Sequence, residues 1–272
     1  MSRPSPSRQL VLTGASRGIG RHIAVDWASR GYRVVLFARS TDGLQAVAAE
    51  VEAAGGDPVI VTGDIRDASD RERLATEAEA FGPVDVVVQN AGIEHPVALE
   101  HRTAEDIERE IGVNLTGPIL LTRRLLPRMV ERGQGAIVMI SSMSGKSPTP
   151  YNTIYSATKF GLNGFAASLR VELGDTGVHV ATVCPSFVAD AGMWADTGVK
   201  APALLPEVPM KRVVAGVRRA AEGAPEVLVT PTAVRPLLAL AQLMPNLDRF
   251  VLRAMGVLDV LRSRAEAISK EP

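Results

Sequence analysis

Tyr155 and Lys159 stand four residues apart, and Ser142 lies thirteen residues before the tyrosine. A tyrosine alone has a pKa near ~10 and is a poor proton-transfer group at neutral pH. An ammonium group held close stabilises the phenolate and draws that pKa toward the working range. Positions i and i+4 share one helical face, so the pair can meet only if this segment is helical. Together they would offer proton transfer. At the other end of the chain runs Thr13-Gly14-Ala15-Ser16-Arg17-Gly18-Ile19-Gly20. Glycines at this spacing allow a tight turn and a close backbone approach to a pyrophosphate, whose charge would rest at the N-terminus of the following helix.

These two features lie far apart in sequence and need a scaffold that brings them together. Short apolar runs predict strands at Gln9–Thr13, Arg33–Ala38, Pro58–Thr62, Val84–Gln89, Ala136–Ser141, Val178–Cys184 and Glu226–Thr230. The early runs are nearly continuous in apolar character, as in parallel strands covered on both faces. Helical patterns fill the intervals Ile19–Arg30, Gly43–Ala54, Ser69–Ala80, Ala104–Arg132, Tyr151–Asp175 and Val208–Glu222. Glycine and proline mark most joints. Strand–helix alternation predicts an α/β, doubly wound Rossmann fold with a seven-stranded parallel sheet flanked by helices. No repeat or long linker divides the chain, so residues 1–272 are expected to form one domain, with a flexible 1–8 and a helical extension over 231–272.

With 272 residues and 46% hydrophobic content, the chain can bury one substantial core. A net charge of zero and a pI near 6.9 provide no global field for nucleic acid. Cys184 is the single cysteine, which excludes an internal disulfide, and its apolar setting suits an inert core thiol. His22, His95, His101 and His179 lack metal-ligand spacing, so no metal site is expected. Met1 to Arg8 has no apolar run of the kind a signal peptide needs. No stretch of about 18 apolar residues occurs, and a cytoplasmic location is the expectation.

The glycine turn between the first strand and helix, with the Ser142, Tyr155 and Lys159 spacing, resembles the short-chain dehydrogenase/reductase family. The resemblance runs from roughly Gln9 to Thr230. The family's Asn-Asn-Ala-Gly landmark is present as Gln89-Asn90-Ala91-Gly92, with glutamine in the first place. The resemblance implies that Ser142 orients the substrate and that Tyr155 is the general acid in reduction and base in oxidation. Lys159 would lower the tyrosine pKa and hold the nicotinamide ribose. Asn114 would hold a water in the proton relay, Asp64 would contact adenine, and Ile65 would pack on its ring. Ser141 competes locally with Ser142; strand alternation and the offset to Tyr155 favour Ser142.

Cofactor choice can be read from the residues themselves. An acidic residue at the end of the second strand would bind a ribose 2′-hydroxyl. Ala38 and Arg39 stand there instead, and Arg17 lies within the glycine turn. Two guanidinium groups suit a 2′-phosphate, so NADP(H) is expected.

Some segments depart from the family pattern. After the sixth strand the sequence is Cys184-Pro185-Ser186-Phe187-Val188-Ala189-Asp190, with serine where glycine is usual and Asp190 where threonine is usual. Pro185 and Val188 can still position nicotinamide. Residues 190–210 have the composition of a mobile lid that includes Met193, Trp194, Leu204 and Leu205. Glu94, His95, Pro96, Tyr151 and Phe187 are further candidates for the substrate wall. Beyond Pro231, Leu237, Leu238, Leu240, Ala241, Leu243 and Met244 make one apolar helical face. Phe250, Val251, Leu252, Met255, Val257, Leu258 and Leu261 make another, and Pro245 interrupts them. Arg235, Arg249, Arg253, Arg262 and Arg264 outnumber Asp248 and Asp259 there. Such helices can lie on a membrane surface, cap a lipid-like pocket, or pack on the core or a partner subunit.

The leading expectation is an NADP(H)-dependent oxidoreductase acting on the carbonyl or secondary alcohol of a bulky apolar small molecule, as a homodimer or homotetramer. The alternatives are a ketoacyl-thioester reductase and, from another class, a non-catalytic dinucleotide sensor or scaffold.

Overall fold

The computed structural model describes residues 8–231, 234–244 and 247–268, and the side chains of 241–243 and 247–249 lie outside that description. The expected flexible N-terminus (apart from Arg8), Pro245, and the side chains of Ala241, Leu243, Asp248 and Arg249 therefore lie outside the described residues. Seven strands, β1 Gln9–Thr13, β2 Arg33–Ala38, β3 Asp57–Thr62, β4 Val86–Gln89, β5 Gly135–Ile140, β6 Val178–Pro185 and β7 Glu226–Val229, alternate with helices. All pair in parallel, in the order β3-β2-β1-β4-β5-β6-β7. One buried apolar cluster fills each face of this sheet, as its nearly unbroken apolar strands require.

The flanking helices are α1 Gly18–Ala28, α2 Thr41–Ala53, α3 Ala68–Ala80, α4 Ala104–Ile111, α5 Gly117–Arg132, α6 Thr153–Leu173 and α7 Met210–Ala221. The expected single helix over Ala104–Arg132 is interrupted by a π-helical turn at Gly112–Thr116. The glycines at its two ends are closely packed: a Cβ on Gly117 would lie 2.8 Å from Ile65 Cγ1, and one on Gly112 would lie 3.3 Å from the Arg66 side chain. The π turn carries Asn114, in keeping with the clustering of such turns at functional sites. Helix α6 starts two residues later than expected because Tyr151 has a left-handed φ of 64°.

Strand order reverses between β1 and β4, which opens a crevice at their C-terminal ends. Thr13 Oγ1 spans it, accepting from the backbone N–H groups of Asn90 and Ala91 at 3.0 Å each. Beyond β7 the extension forms three helices, α8 Arg235–Leu243, α9 Leu247–Ala254 and α10 Val257–Ile268. No described helix is long and apolar enough to cross a membrane.

Candidate active site

The glycine turn is dictated by crowding. Gly14 has φ 65°, and a Cβ on it would lie 2.8 Å from Ala91 Cα; one on Gly20 would lie 2.1 Å from the Gly14 carbonyl oxygen. Asn90 Nδ2 fixes the turn by donating to the Thr13 and Gly14 carbonyls at 3.1 and 3.0 Å. Gly18 opens α1, and its N-cap residue Arg17 places no side chain on the first-turn N–H groups. An uncapped helix N-terminus beside bare backbone is a cradle for phosphate oxygens. Ser16 and Ile19 complete the turn, with Ser16 backed by Gly43 of α2. A dinucleotide fits these residues.

The adenosine end differs in part from expectation. Arg39 is exposed at the end of β2 and forms no ion pair among the described residues. Arg17 instead reaches across to Asp196 of the loop after β6 at 2.5 Å, with both side chains exposed. Asp64 is taken up by its neighbour Arg66 at 2.8 Å, and that hydrogen-bonded guanidinium holds its carboxyl below the usual range. Ile65 is buried in the core against Gly117.

At the C-terminal ends of β4 to β6 the expected catalytic residues converge. Asn114 is fully buried. It clamps Ile93, whose N–H donates to Oδ1 and whose carbonyl accepts from Nδ2, both at 2.8 Å. Its Nδ2 also reaches Thr158 Oγ1 at 3.3 Å, which ties it to α6. A Cβ on Gly92 would lie 3.5 Å from Asn114 Oδ1 and 3.7 Å from Lys159 Nζ, so Gly92 sits directly above this cluster. The two serines separate by role. Ser141 is buried and donates to the Lys159 carbonyl at 3.2 Å. Ser142 is half-buried at the cavity, and its Oγ accepts from Ser144 N–H at 3.1 Å, leaving its own proton to donate.

Tyr155 and Lys159 lie on one face of α6, both buried. The ammonium donates to the Ile140 carbonyl at 2.8 Å and lies 5.3 Å from the centre of the tyrosine ring. Burial pushes the lysine pKa down to about 8. At Tyr155 burial first, then the charge of Glu94, raise the pKa, and the Ser142 hydrogen bond opposes them.

The cavity beside these residues has a volume of about 230 Å³. Pro185 and Val188 line it where the chain leaves β6, and Val188 pairs with Val208 to close the base of the 190–207 loop. Phe187 and Trp194 line it together, their ring centres 4.2 Å apart, and Trp194 Nε1 donates to Glu207 at 3.0 Å. Asp190 is exposed, with a left-handed φ of 71°, and lies off the cavity.

His95 also lies off it. Arg102 Nη1 binds the His95 carbonyl at 2.7 Å, and the ring turns toward Asp106, 3.8 Å away, leaving Glu94 as the residue at the cavity. Tyr151 likewise faces away, its hydroxyl accepting from Arg262 at 3.0 Å. The roof comes from the extension, through Leu237, Leu238, Leu252, Met255 and Leu261. Sequence reasoning did not single out the polar lining residues Ser147, Thr149 and Asn152, and it named Arg264 only as one of the arginines of the extension. The readable sign of Arg264 was its position with Val257, Leu261 and Ala265 on the buried face of α10.

Comparisons with known proteins find relatives over most of the chain. The family model for short chain dehydrogenases matches residues 8–200. The chain is 38% identical over 266 residues to the ketoacyl reductase HetN of Nostoc, covering 95% of this chain and 93% of that protein. It is 39% identical over 185 residues to a putative ketoacyl reductase of Streptomyces coelicolor, covering 67% of this chain and 71% of the relative. Among solved structures, an actinorhodin polyketide ketoreductase variant with NADPH superposes with a TM-score of 0.76 at 30% identity, over 84% of this chain and 97% of its own. A metagenomic short-chain oxidoreductase in complex with NADP gives 0.72 at 34% identity, over 83% and 97%. With its glycine cradle and its serine, tyrosine and lysine at one cavity, the chain belongs to the short-chain dehydrogenase family of oxidoreductases.

Proposed function

We propose that the protein is an NADP(H)-dependent oxidoreductase interconverting a carbonyl and a secondary alcohol on a bulky, apolar small molecule. One observation carries this reading: Ser142, Tyr155 and Lys159 share a cavity of about 230 Å³ whose other walls are largely apolar side chains of the lid and the C-terminal helices. The nicotinamide, when bound, supplies or accepts the hydride.

The chain's own residues handle the rest. Ser142 donates a hydrogen bond to the substrate oxygen and stabilises the charge that develops there. Tyr155 delivers the proton to that oxygen in reduction and removes it in oxidation. Lys159, with a pKa of about 8, is close enough to neutrality to exchange protons with the tyrosine side of the site. Asn114 holds the Ile93 backbone and the α6 face in register for this exchange. Gly14 to Gly20 and Asn90 to Gly92 would hold the dinucleotide, and exposed Arg39 would take the 2′-phosphate. Bound NADPH and NADP in the structural relatives support that cofactor.

A second reading, a ketoacyl-thioester reductase, draws on the names of HetN and the polyketide ketoreductase. A panel of apolar ketones and ketoacyl thioesters, followed by NADPH absorbance, distinguishes the two. No NADPH consumption with either class sinks both and leaves the sensor.

The proposal includes a homodimer or homotetramer, supported by exposed Phe160 and Val171 on α6, with sedimentation as its check. Contact with an anionic membrane surface would rest on exposed Leu240, Met244 and Phe250 near Arg253; vesicle flotation tests it. A cytoplasmic location, to be checked by cell fractionation, accords with a lone buried Cys184 thiol.

A further inference from the structure

The C-terminal extension brings a charge as well as a roof. Arg264 of α10 is buried, and its guanidinium is ion-paired with Glu94, itself nearly buried in the loop after β4. The second oxygen of Glu94 accepts from Asn152 Nδ2 at 2.7 Å, three residues ahead of Tyr155. The same guanidinium lies 5.5 Å from the centre of the Trp194 ring. Glu94, Asn152, Trp194 and Arg264 all line the cavity that holds Ser142 and Tyr155.

The charged groups that face Tyr155 can be taken element by element. Lys159 comes from α6 itself, Glu94 from the loop after β4, Glu110 from α4 and Arg264 from α10. The Glu110 carboxylate has its own buried partner in Arg102, at 2.6 Å. Both members of that pair belong to one short stretch of chain. Glu94 is different, because its cation arrives from 170 residues away, on the extension. Without Arg264, a carboxylate would be left buried and uncompensated against the proton-transfer tyrosine.

We propose that Arg264 is a positioning residue of the active site, neutralising Glu94 and, through Asn152, fixing the segment that leads into Tyr155. This assignment rests on Tyr155 being the proton-transfer group of the proposed function. It makes the extension a working part of the site, beyond any covering role. The direction of each charge on Tyr155 agrees: Glu94 raises its pKa and Arg264 lowers it.

The test uses the full chain and the pH profile of kcat for α-tetralol oxidation with NADP⁺, where Tyr155 must lose its proton. Removing the cation, in Arg264→Met, should move the low-pH limb upward by about one pH unit. Removing the anion, in Glu94→Gln, should move it downward. The double variant should return it close to the wild-type position, and Arg264→Lys should keep most of it. Loss of packing alone would lower kcat in all variants and would not produce opposite shifts. A limb that stays in place in both single variants, or a double variant that matches Arg264→Met, overturns the assignment. If Arg264→Met does not fold, Glu94→Gln and Arg264→Lys still decide the sign. Wild-type protein inactive on every alcohol and ketone tried overturns the proposed function and this assignment with it; wild-type activity with unmoved limbs overturns this assignment alone.

Discussion

Lys159 Nζ donates to the Ile140 carbonyl at 2.8 Å while lying 5.3 Å from the centre of the Tyr155 ring. The lysine is thus held by the end of β5 and faces the tyrosine across its ring. Burial dominates both groups, lowering the lysine to about 8 and raising the tyrosine. Desolvation thus opposes the charged form of both side chains.

That opposition has a stability consequence with a definite sign. The Lys159 pKa is lower in the folded protein than the reference value of 10.5, so below about 8 the folded state carries a buried charge. This penalty, on the order of 3 kcal/mol, fades as pH rises from 8 toward 10.5. Lys159→Met removes it but leaves the Ile140 carbonyl without its donor, which offsets ~1–3 kcal/mol. Urea unfolding should therefore show the stability of the variant relative to wild type falling as pH climbs through that window. A pH-independent difference would contradict the buried charge.

Tyr155→Phe keeps the ring and its packing and removes the transferable proton. Turnover should fall by ~10²–10⁴-fold with NADPH affinity within a few-fold of wild type. Ser142→Ala should lose ~10²–10³-fold in kcat, because it removes a donor aimed at developing charge. Ser141→Ala, by contrast, removes a buried bond to the Lys159 carbonyl and a contact with the Cys184 thiol, and should lower stability by ~1 kcal/mol with a modest effect on rate. Fluorescence titration with NADPH beside steady-state kinetics separates these outcomes.

Gly20→Ala places a Cβ 2.1 Å from the Gly14 carbonyl oxygen, a distance that backbone must relieve. Deforming the turn should weaken NADPH binding by at least ~10-fold and destabilise the protein by ~1–3 kcal/mol. Alanine at Gly164, where a Cβ would meet nothing within 4 Å, is the control and should leave affinity unchanged.

What could be read from the sequence follows from how local each feature is. The strands were legible because runs such as Leu10-Val11-Leu12 and Val86-Val87-Val88 are covered on both faces and so are apolar throughout. The glycine turn and the Tyr155–Lys159 face were legible because each depends on spacing within one turn or one helix. The π turn at Asn114 was not, since apolar periodicity carries no mark of it and its end at Gly117 packs against Ile65 from across the fold. Nor was the upward direction of the Tyr155 shift, which depends on depth of burial and on Glu94. The Glu94–Arg264 pair joins the loop after β4 to a helix at the far end of the chain, and no local pattern encodes it. His95 was drawn away from the cavity by Arg102 and Asp106, neighbours whose contacts depend on the path of the loop.

The two arginines proposed to set cofactor preference are held differently in the structure. Arg39 is exposed and makes no ion pair among the described residues, so its guanidinium is available for a 2′-phosphate. Arg17 is already paired with Asp196 of the loop after β6, in an exposed contact of the kind that contributes little to stability. Arg39→Ala should therefore lower kcat/KM for NADPH by ~10–100-fold, the value of a lost charge-assisted contact, and leave NADH nearly unchanged. Arg17→Ala should cost less with NADPH, because binding must first compete with Asp196 for that guanidinium. Asp196→Asn frees Arg17 and should strengthen NADPH binding slightly while loosening the lid, seen as a higher KM for the carbonyl substrate. Equal losses with NADPH and NADH in Arg39→Ala would mean that Arg39 supports the fold of the turn and does not read the 2′-phosphate.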